Sequence, residues 1–142
     1  MKALPTFDTL ILSKEGARLD VVFNRPEQRN AINSVMAREF SELVDFLASA
    51  PGIRVVTVRG AGGHFCAGGD IKERRAMADE TGGVEAIEKR NRDAGHMFLR
   101  FARLPQTTIS LVEGSAFGGG FGYACLTDIT ILTRGARMGM PE

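Results

Sequence analysis

The stretch VVTVRGAGGHFCAGGD, residues 55–70, decides the fold of this chain. Its first half is rich in valine and, together with the two residues before it, predicts a strand over residues 53–59. Its second half, residues 60–70, holds five glycines and predicts a tight loop. Backbone N–H groups between a strand and a following helix have no partner within the helix, so they can bind an anion or a developing oxyanion.

A second glycine-rich loop, GSAFGGG at residues 114–120, also follows a predicted strand and leads toward a short helix. Neither loop has the Gly-Lys-Ser/Thr ending of a Walker A motif or the spacing GxGxxG, so the familiar kinds of nucleotide phosphate binding are not supported. One such loop alone is more often only a tight turn. Two of them, each at a strand end, favour a paired binding site.

Strands and helices alternate along the rest of the chain, and this predicts one α/β domain. The predicted strands are residues 9–13, 19–24, 53–59, 108–112 and 129–132. The first predicted helix is capped by Asn33 or Ser34, and two others begin at residues 84 and 121. Residues 72–83 are charged and predict an irregular or weakly helical segment, with a solvated face at residues 73–75.

Composition narrows the class of protein. The 142 residues carry 18 Lys+Arg against 17 Asp+Glu, a net charge of +1, and 44% are hydrophobic. This balance is typical of a globular domain and offers no basic excess for a nucleic-acid backbone. The sequence holds no apolar run that predicts a membrane span or a signal peptide, and no cluster with metal-ligand spacing. With only two cysteines, it predicts a cytoplasmic protein with no nucleic-acid, membrane or metal partner.

Four segments, in order, resemble the enoyl-CoA hydratase/isomerase (crotonase) superfamily. They are FNRPEQRNAIN at 23–33, HFCAGGDI at 64–71, VEGSAFGGG at 112–120 and MPE at 140–142, with Asp128 between the last two. Within the superfamily they look most like bacterial isohexenylglutaconyl-CoA and methylglutaconyl-CoA hydratases. The resemblance implies the α/β fold of the ClpP/crotonase type, a spiral of β-β-α units. Residues 1–142 would be its N-terminal, acyl-CoA-binding half, without the C-terminal helical part and the trimer or dimer of trimers that the superfamily forms.

The resemblance also implies an acyl-CoA substrate whose thioester oxygen is held by the N–H groups of Gly69 and Gly119. No separate cofactor is implied, since coenzyme A arrives as part of the substrate. The positions that resemble the CoA-binding wall are Ala67, Gly68, Asp70, Ile71 and Arg29. Ala67 would offer its carbonyl to the adenine. Arg29 lies where basic residues often meet the CoA phosphates, and a solvated surface charge is an equal alternative for it.

Hydratases of this superfamily use two glutamates, and the chain matches one of them. Glu142 matches the acid/base of the Pro-Glu pair, whereas Gly122 stands where the pattern GGGxE has the other glutamate. We expect the missing side chain to leave a space that a branched, glutaconyl-type substrate could fill. The expected activity is enoyl-CoA hydration. The alternatives are an enoyl-CoA isomerase that uses Glu142 alone and a non-catalytic acyl-CoA-binding protein.

Other polar residues have structural interpretations. His64 is predicted to stabilise its loop, since it matches no catalytic position of the superfamily. Asp128 is predicted to cap local backbone, and Asp70 could cap a following helix as well as line the CoA site. Cys66 and Cys125 are both predicted to be buried in the core.

Overall fold

The computed structural model describes residues 3–80 and 82–141 of the chain. The elements in chain order are β1 (Leu10–Glu15), β2 (Arg18–Phe23), a turn of 3-10 helix (Pro26–Gln28), α1 (Ser34–Ala48), β3 (Val55–Gly60), α2 (Ile71–Ala78), α3 (Gly83–Ala102), β4 (Thr107–Val112), β5 (Ser115–Phe117), α4 (Gly119–Cys125), β6 (Ile129–Leu132) and β7 (Arg137–Gly139). Among these residues, no helix is long and apolar enough to cross a bilayer.

The main sheet has the strand order β1-β2-β3-β4-β6. The first two strands form the predicted antiparallel hairpin, and the remaining pairs are parallel. Helices form the crossovers, with α1 between β2 and β3 and α2 and α3 between β3 and β4. Because parallel strands end at the same edge of a sheet, both glycine loops lie at one edge, after β3 and after β4.

A second, smaller sheet lies beyond that edge. Strands β5 and β7 pair in parallel, and isolated bridges join Ile32 to Gly69 and Cys66 to Ala116. The predicted second loop is therefore shorter than expected, since residues 115–117 form β5 and α4 begins at Gly119 rather than at residue 121. Strand β7 was not predicted either. Both strands are only three residues long, which is too short for alternation to reveal them.

An aromatic cluster fills the core between the sheet and helices α1, α3 and α4. Phe40 and Tyr123 lie with ring centroids 4.6 Å apart, and Phe101 lies 5.2 Å from Phe40 in an edge-on arrangement. Phe23, at the end of β2, contacts Phe65 in the first glycine loop at 5.5 Å. Such pairs contribute about 0.5–1.5 kcal/mol each beyond the area they bury. The cluster thus ties the loop directly to the core.

Two further predictions need correction. Residues 71–78, in the segment predicted to be irregular or weakly helical, form a regular helix, α2. The predicted cap at Asp70 is confirmed, because its side chain accepts hydrogen bonds from the backbone N–H groups of Lys72 and Glu73. Cys125 is exposed rather than in the core, since α4 buries its neighbours Tyr123 and Ala124. The structural role predicted for Asp128 is confirmed, because its carboxylate accepts from Thr108 N–H and Oγ1 and so ties the start of β6 to β4.

Candidate active site

The first glycine loop is held in shape by one buried side chain, Asn30. Its Nδ2 donates to the carbonyls of Ala61 and His64 at 2.9 and 2.8 Å, and its Oδ1 accepts from the N–H of Arg25. Asn30 is fully buried and has a left-handed backbone with φ of 57°, a conformation that asparagine tolerates better than most residues. Our sequence reasoning missed this residue, although it lies within the matched segment at 23–33.

The second loop is joined to the first by backbone hydrogen bonds between residues 65–66 and strand β5. The N–H groups of Phe65 and Cys66 both donate to the carbonyl of Ser115, and Phe117 N–H donates to the carbonyl of Cys66. His64 Nδ1 lies 3.0 Å from Ser115 Oγ. The loop-stabilising role predicted for His64 is therefore confirmed, and the two loops form one rigid unit.

Glycines allow the two loops to meet backbone to backbone. Gly68 has φ of 94°, and a Cβ atom there would lie 2.8 Å from the carbonyl oxygen of Phe117. A Cβ atom on Gly120, in the first turn of α4, would lie 2.3 Å from the carbonyl oxygen of Cys66. Any side chain at either position would push the loops apart.

The direction in which the N–H of Gly69 points is set by the planar peptide that joins Gly68 to Gly69. The carbonyl of Gly68 accepts from Ile32 N–H at 2.7 Å, and the trans peptide therefore turns the N–H of Gly69 away from Ile32. Gly119 is the first residue of α4, so its N–H has no partner within the helix. Within residues 3–80 and 82–141, neither N–H donates to any protein acceptor.

Both glycines line one cavity of about 1130 Å³. Its apolar lining comes from the segment before α1, from α3, from α4 and from the segment after β7, and includes Ile32, Met97, Phe98, Tyr123 and Met140. Two unpartnered N–H groups beside this apolar part of the wall are suited to stabilising an oxyanion, because they need no reorganisation when the charge forms. Glu142, the predicted acid/base, lies outside the described residues.

The space expected beside Gly122 is filled. A Cβ atom on Gly122 would lie 3.2 Å from Cζ of Phe98, whose ring packs over this position from α3. The prediction of an open space there is therefore wrong. A sequence pattern reveals the missing glutamate but not the residue from another helix that occupies its place.

Four of the predicted CoA-binding residues lie along the first loop and at the start of α2, and the fifth, Arg29, follows the 3-10 turn. The N–H of Ala67 donates to the carbonyl of Arg29. Residue Arg29 is exposed. Burial acts to raise the pKa of the Asp70 carboxyl, but the N–H groups that it caps and the ion pair with Arg25 at 3.1 Å lower it below its usual range overall. Ile71 exposes its side chain beside them. Gly68 is buried against the second loop. Contact of these five residues with coenzyme A stays a prediction.

Residue Glu73 belongs to a network at the cavity rather than to a solvated face. Its carboxylate accepts from Ser34 N–H and Oγ, and forms an ion pair with Arg90 at 3.1 Å. Arg90 also donates from Nη2 to the carbonyl of Ile32. The prediction of a solvated face holds for the exposed side chains of Arg74 and Arg75 and is wrong for Glu73. The partners lie far apart in sequence, so local charge patterning gave no signal for them.

Comparisons with known proteins give the family. The model of a family described as enoyl-CoA hydratase/isomerase matches residues 19–142, and the chain belongs to this family. An enoyl-CoA hydratase/isomerase structure from Marinobacter aquaeolei is 40% identical, with a TM-score of 0.88, over 94% of this chain and 52% of that one. The crotonase-type fold is confirmed by this similarity.

Two curated relatives have similar identity. The hydroxycinnamoyl-CoA hydratase-lyase of Pseudomonas fluorescens is 35% identical over 86% of this chain and 44% of its own length. The mouse protein named enoyl-CoA hydratase domain-containing protein 2, mitochondrial, is 35% identical over 87% of this chain and 40% of its own length. The chain therefore spans less than half the length of these curated relatives.

Proposed function

We propose that the full-length protein hydrates the double bond of an enoyl-CoA thioester through an enolate held by the N–H groups of Gly69 and Gly119. The observation that carries the proposal is that both N–H groups lie on the wall of one cavity without a protein acceptor among the described residues. Removing one such donor from an oxyanion hole typically costs ~3 kcal/mol of transition-state stabilisation.

The chemistry adds one water molecule across the double bond. The water oxygen bonds to C3 while the electrons of the double bond move onto the thioester oxygen, and the enolate then takes a proton at C2. We assign both proton transfers to Glu142, which accepts a proton from the water and delivers one to C2. The assignment follows the resemblance of the Pro-Glu pair, and it is supported by Met140, two residues earlier, in the cavity wall.

For the acyl chain we propose a branched, glutaconyl-type group that carries its own carboxylate. Basic residues outnumber acidic ones around the cavity, with Arg38, Arg74, Lys89, Arg90 and Arg100 against Glu42 and Asp93. Arg74 forms no ion pair with a described residue, and its Cδ would lie 3.5 Å from a Cβ atom on Gly69. A substrate carboxylate near the thioester would find its counter-charge there.

Isomerisation of the double bond is a second candidate, because Phe98 covers Gly122 and no glutamate at that position anchors a water molecule. An isomerase needs only one group, Glu142, to move a proton between C2 and C4. The homotrimer or dimer of trimers stays a prediction from the resemblance. The cytoplasmic location stays a prediction from composition, and the mouse relative is named as mitochondrial.

The test compares two substitutions at Gly119 in the full-length protein with crotonyl-CoA and a 3-enoyl-CoA as substrates. Gly119→Pro removes the N–H, whereas the matched Gly119→Ala keeps it. Both variants add a Cβ atom that would lie 2.9 Å from Cδ1 of Ile32, so the contact with Ile32 is common to the two. We expect Gly119→Pro to lower kcat by about 10²–10³-fold and Gly119→Ala to lower it much less. Equal losses would remove the oxyanion assignment.

Product analysis separates the candidate functions. A 3-hydroxyacyl-CoA product identifies hydration, and a 2-enoyl product from the 3-enoyl substrate identifies isomerisation. Binding measured by calorimetry, with no turnover of either substrate, identifies a non-catalytic binder.

A further inference from the structure

We propose that Arg90 is a positioning residue that fixes the direction of the Gly69 N–H by holding the backbone of Ile32. The inference rests on the proposed function, because it concerns one of the two N–H groups assigned to the thioester oxygen. Arg90 lies on α3, 21 residues after Gly69 in sequence, and belongs to the cavity wall.

Ile32 holds the backbone on both sides of Gly69. Its N–H donates to the carbonyl of Gly68 at 2.7 Å, and its carbonyl accepts from the N–H of Asp70 at 2.9 Å. The carbonyl of Gly68 and the N–H of Gly69 belong to the same planar peptide, so any rotation of one rotates the other. The direction of the Gly69 N–H thus follows the position of Ile32.

Arg90 supplies a second, charged donor to the same backbone. Its Nη2 donates to the carbonyl of Ile32 at 3.0 Å, and hydrogen bonds from a charged donor are roughly twice as strong as neutral ones. The side chain of Ile32 also faces the other donor, since its Cδ1 would lie 2.9 Å from a Cβ atom on Gly119. Ile32 therefore contacts both halves of the oxyanion site, and Arg90 holds Ile32.

Arg90 is itself fixed by the acidic residue of α2. Its Nη1 pairs with Glu73 Oε2 at 3.1 Å, and the two side chains are 21% and 27% exposed. Glu73 is held in turn by Ser34 at the start of α1, through N–H at 2.9 Å and Oγ at 2.6 Å. Residues of α1, α2 and α3 are thus linked through Glu73, and this link holds the flexible side chain of Arg90 in one position against the carbonyl of Ile32.

Loss of Arg90 should lower catalysis more than binding. A thioester still occupies the cavity, but a displacement of a catalytic group by about 1 Å can cost ~10²-fold in rate. We expect Arg90→Met to lower kcat for crotonyl-CoA at least tenfold with KM nearly unchanged, and Arg90→Lys to restore part of the loss because it keeps the charge. Crotonyl-CoA carries no acyl carboxylate, so its KM does not report on recognition of such a group.

The experiment uses full-length protein and crotonyl-CoA labelled with 13C at the thioester carbonyl. In the wild type the bound carbonyl carbon should shift downfield, because donors that polarise the carbonyl withdraw electron density from it. Arg90→Met should reduce this shift, and Arg90→Lys should restore part of it. The control is Arg92→Met, an exposed arginine of the same helix outside the cavity wall, which should match the wild type. Glu73→Gln, which keeps the shape of Glu73, should give an intermediate loss, and it provides the test should Arg90→Met fail to fold.

Each outcome decides the matter. A wild-type downfield shift that persists in Arg90→Met, with kcat unchanged, overturns the positioning role and leaves the proposed function intact. A raised KM with unchanged kcat means that Arg90 contacts the substrate instead, which also overturns it. Absence of any shift in the wild type overturns the oxyanion assignment and this inference together.

Discussion

The ring of Phe98 packs against the backbone of Gly122, so that a Cβ atom at residue 122 would lie 3.2 Å from Cζ and 3.3 Å from Cε2 of the ring. Phe98 is held there by an edge-on contact with Tyr123, with centroids 5.0 Å apart. At the position where the superfamily pattern has a glutamate, this chain has a glycine. The aromatic side chain of Phe98, from α3, occupies the space beside it.

This packing predicts that one substitution is not enough to install a second glutamate. Gly122→Glu alone places a carboxylate against an aromatic ring, where desolvation opposes its charge, so we expect no gain in crotonyl-CoA hydration. Gly122→Glu combined with Phe98→Ala opens the space, and we expect kcat/KM for crotonyl-CoA to rise relative to a glutaconyl-type thioester. Gly122→Ala controls for the contact with the ring. If Gly122→Glu alone raised kcat/KM for crotonyl-CoA as much as the double substitution does, the prediction would be wrong.

The proposed acid/base gives a prediction with an isotopic measurement. Glu142→Gln keeps the shape of the side chain but cannot exchange a proton, so in deuterated water the full-length variant should no longer incorporate deuterium at C2 of the product. Losses from removing a general acid/base are about 10²–10⁴-fold in rate. Wild-type turnover in Glu142→Gln would assign the proton transfers to another group.

The buried amide of Asn30 should be the largest single polar contribution to the stability of the loop. Asn30→Ala leaves the carbonyls of Ala61 and His64 and the N–H of Arg25 without their partner, and unsatisfied buried groups cost ~1–3 kcal/mol each. We expect the free energy of unfolding in urea to fall by about 3 kcal/mol or more. The backbone φ of 57° adds to the loss, because alanine tolerates it poorly.

A nearby asparagine provides the matched control. Asn33 accepts one hydrogen bond, from Met36 N–H at 2.9 Å, as the cap of α1. Replacing such a cap by alanine costs ~1 kcal/mol. If Asn30→Ala costs no more than Asn33→Ala, the three hydrogen bonds of Asn30 do not hold the loop.

The parts of the fold that sequence predicts are those that local pattern determines. Five strands, the two long helices and the first glycine loop follow from alternation, helical spacing and glycine content, and the structure confirms them, whereas the second glycine loop is shorter than predicted. Helix α2 was predicted only as an irregular or weakly helical segment, because its residues are charged and it buries no side chain. Its start depends on the cap at Asp70, which the sequence did offer as a candidate.

The residues of the candidate site also fall into those that local sequence pattern marks and those that it does not. Gly69 and Gly119 could be identified because their loops are local motifs, and the structure brings them to one cavity. Asn30, Phe98 and Arg90 act through partners more than 20 residues away, and no local pattern marks such pairs. The exposure of Cys125 was missed for a related reason, since the face that a seven-residue helix buries depends on which neighbours pack against it.

The two thiols of the chain should react very differently. Cys66 is fully buried, and burial raises the pKa of its thiol to about 12, so almost no thiolate forms at neutral pH. Cys125 is exposed. With Ellman's reagent at pH 8, we expect one equivalent of fast-reacting thiol in the folded 142-residue chain and two after denaturation. Cys125→Ser should remove the fast phase, and Cys66→Ala should leave it. A fast phase that survives in Cys125→Ser would mean that the loop opens.

A buried carboxylate should give the chain a measurable acid dependence. Glu39, on α1, accepts hydrogen bonds from Asp8 N–H at 2.9 Å and from Thr9 N–H at 2.8 Å, together with the Thr9 hydroxyl. Burial acts to raise the pKa of this carboxyl, but these hydrogen bonds outweigh it, and the pKa lies below the usual value. The charged form is therefore the one that the folded state prefers.

The sign of the effect follows from this direction. A carboxyl whose pKa is lowered by folding stabilises the protein above its unfolded pKa, about 4.3, and the contribution is lost as the pH falls through the folded pKa. Glu39→Gln should therefore lower the free energy of unfolding by about 1–3 kcal/mol at pH 7, and the gap from the wild type should narrow below pH ~4. Glu42→Gln, which breaks only the exposed pair with Arg38 at 3.5 Å, should change stability by no more than about 0.5 kcal/mol at either pH. Urea unfolding of the three proteins from pH 7 to pH 3.5 measures the gap. A gap for Glu39→Gln that stays constant over this range would mean that the shape of the side chain, and not its charge, anchors residues 8 and 9 to α1.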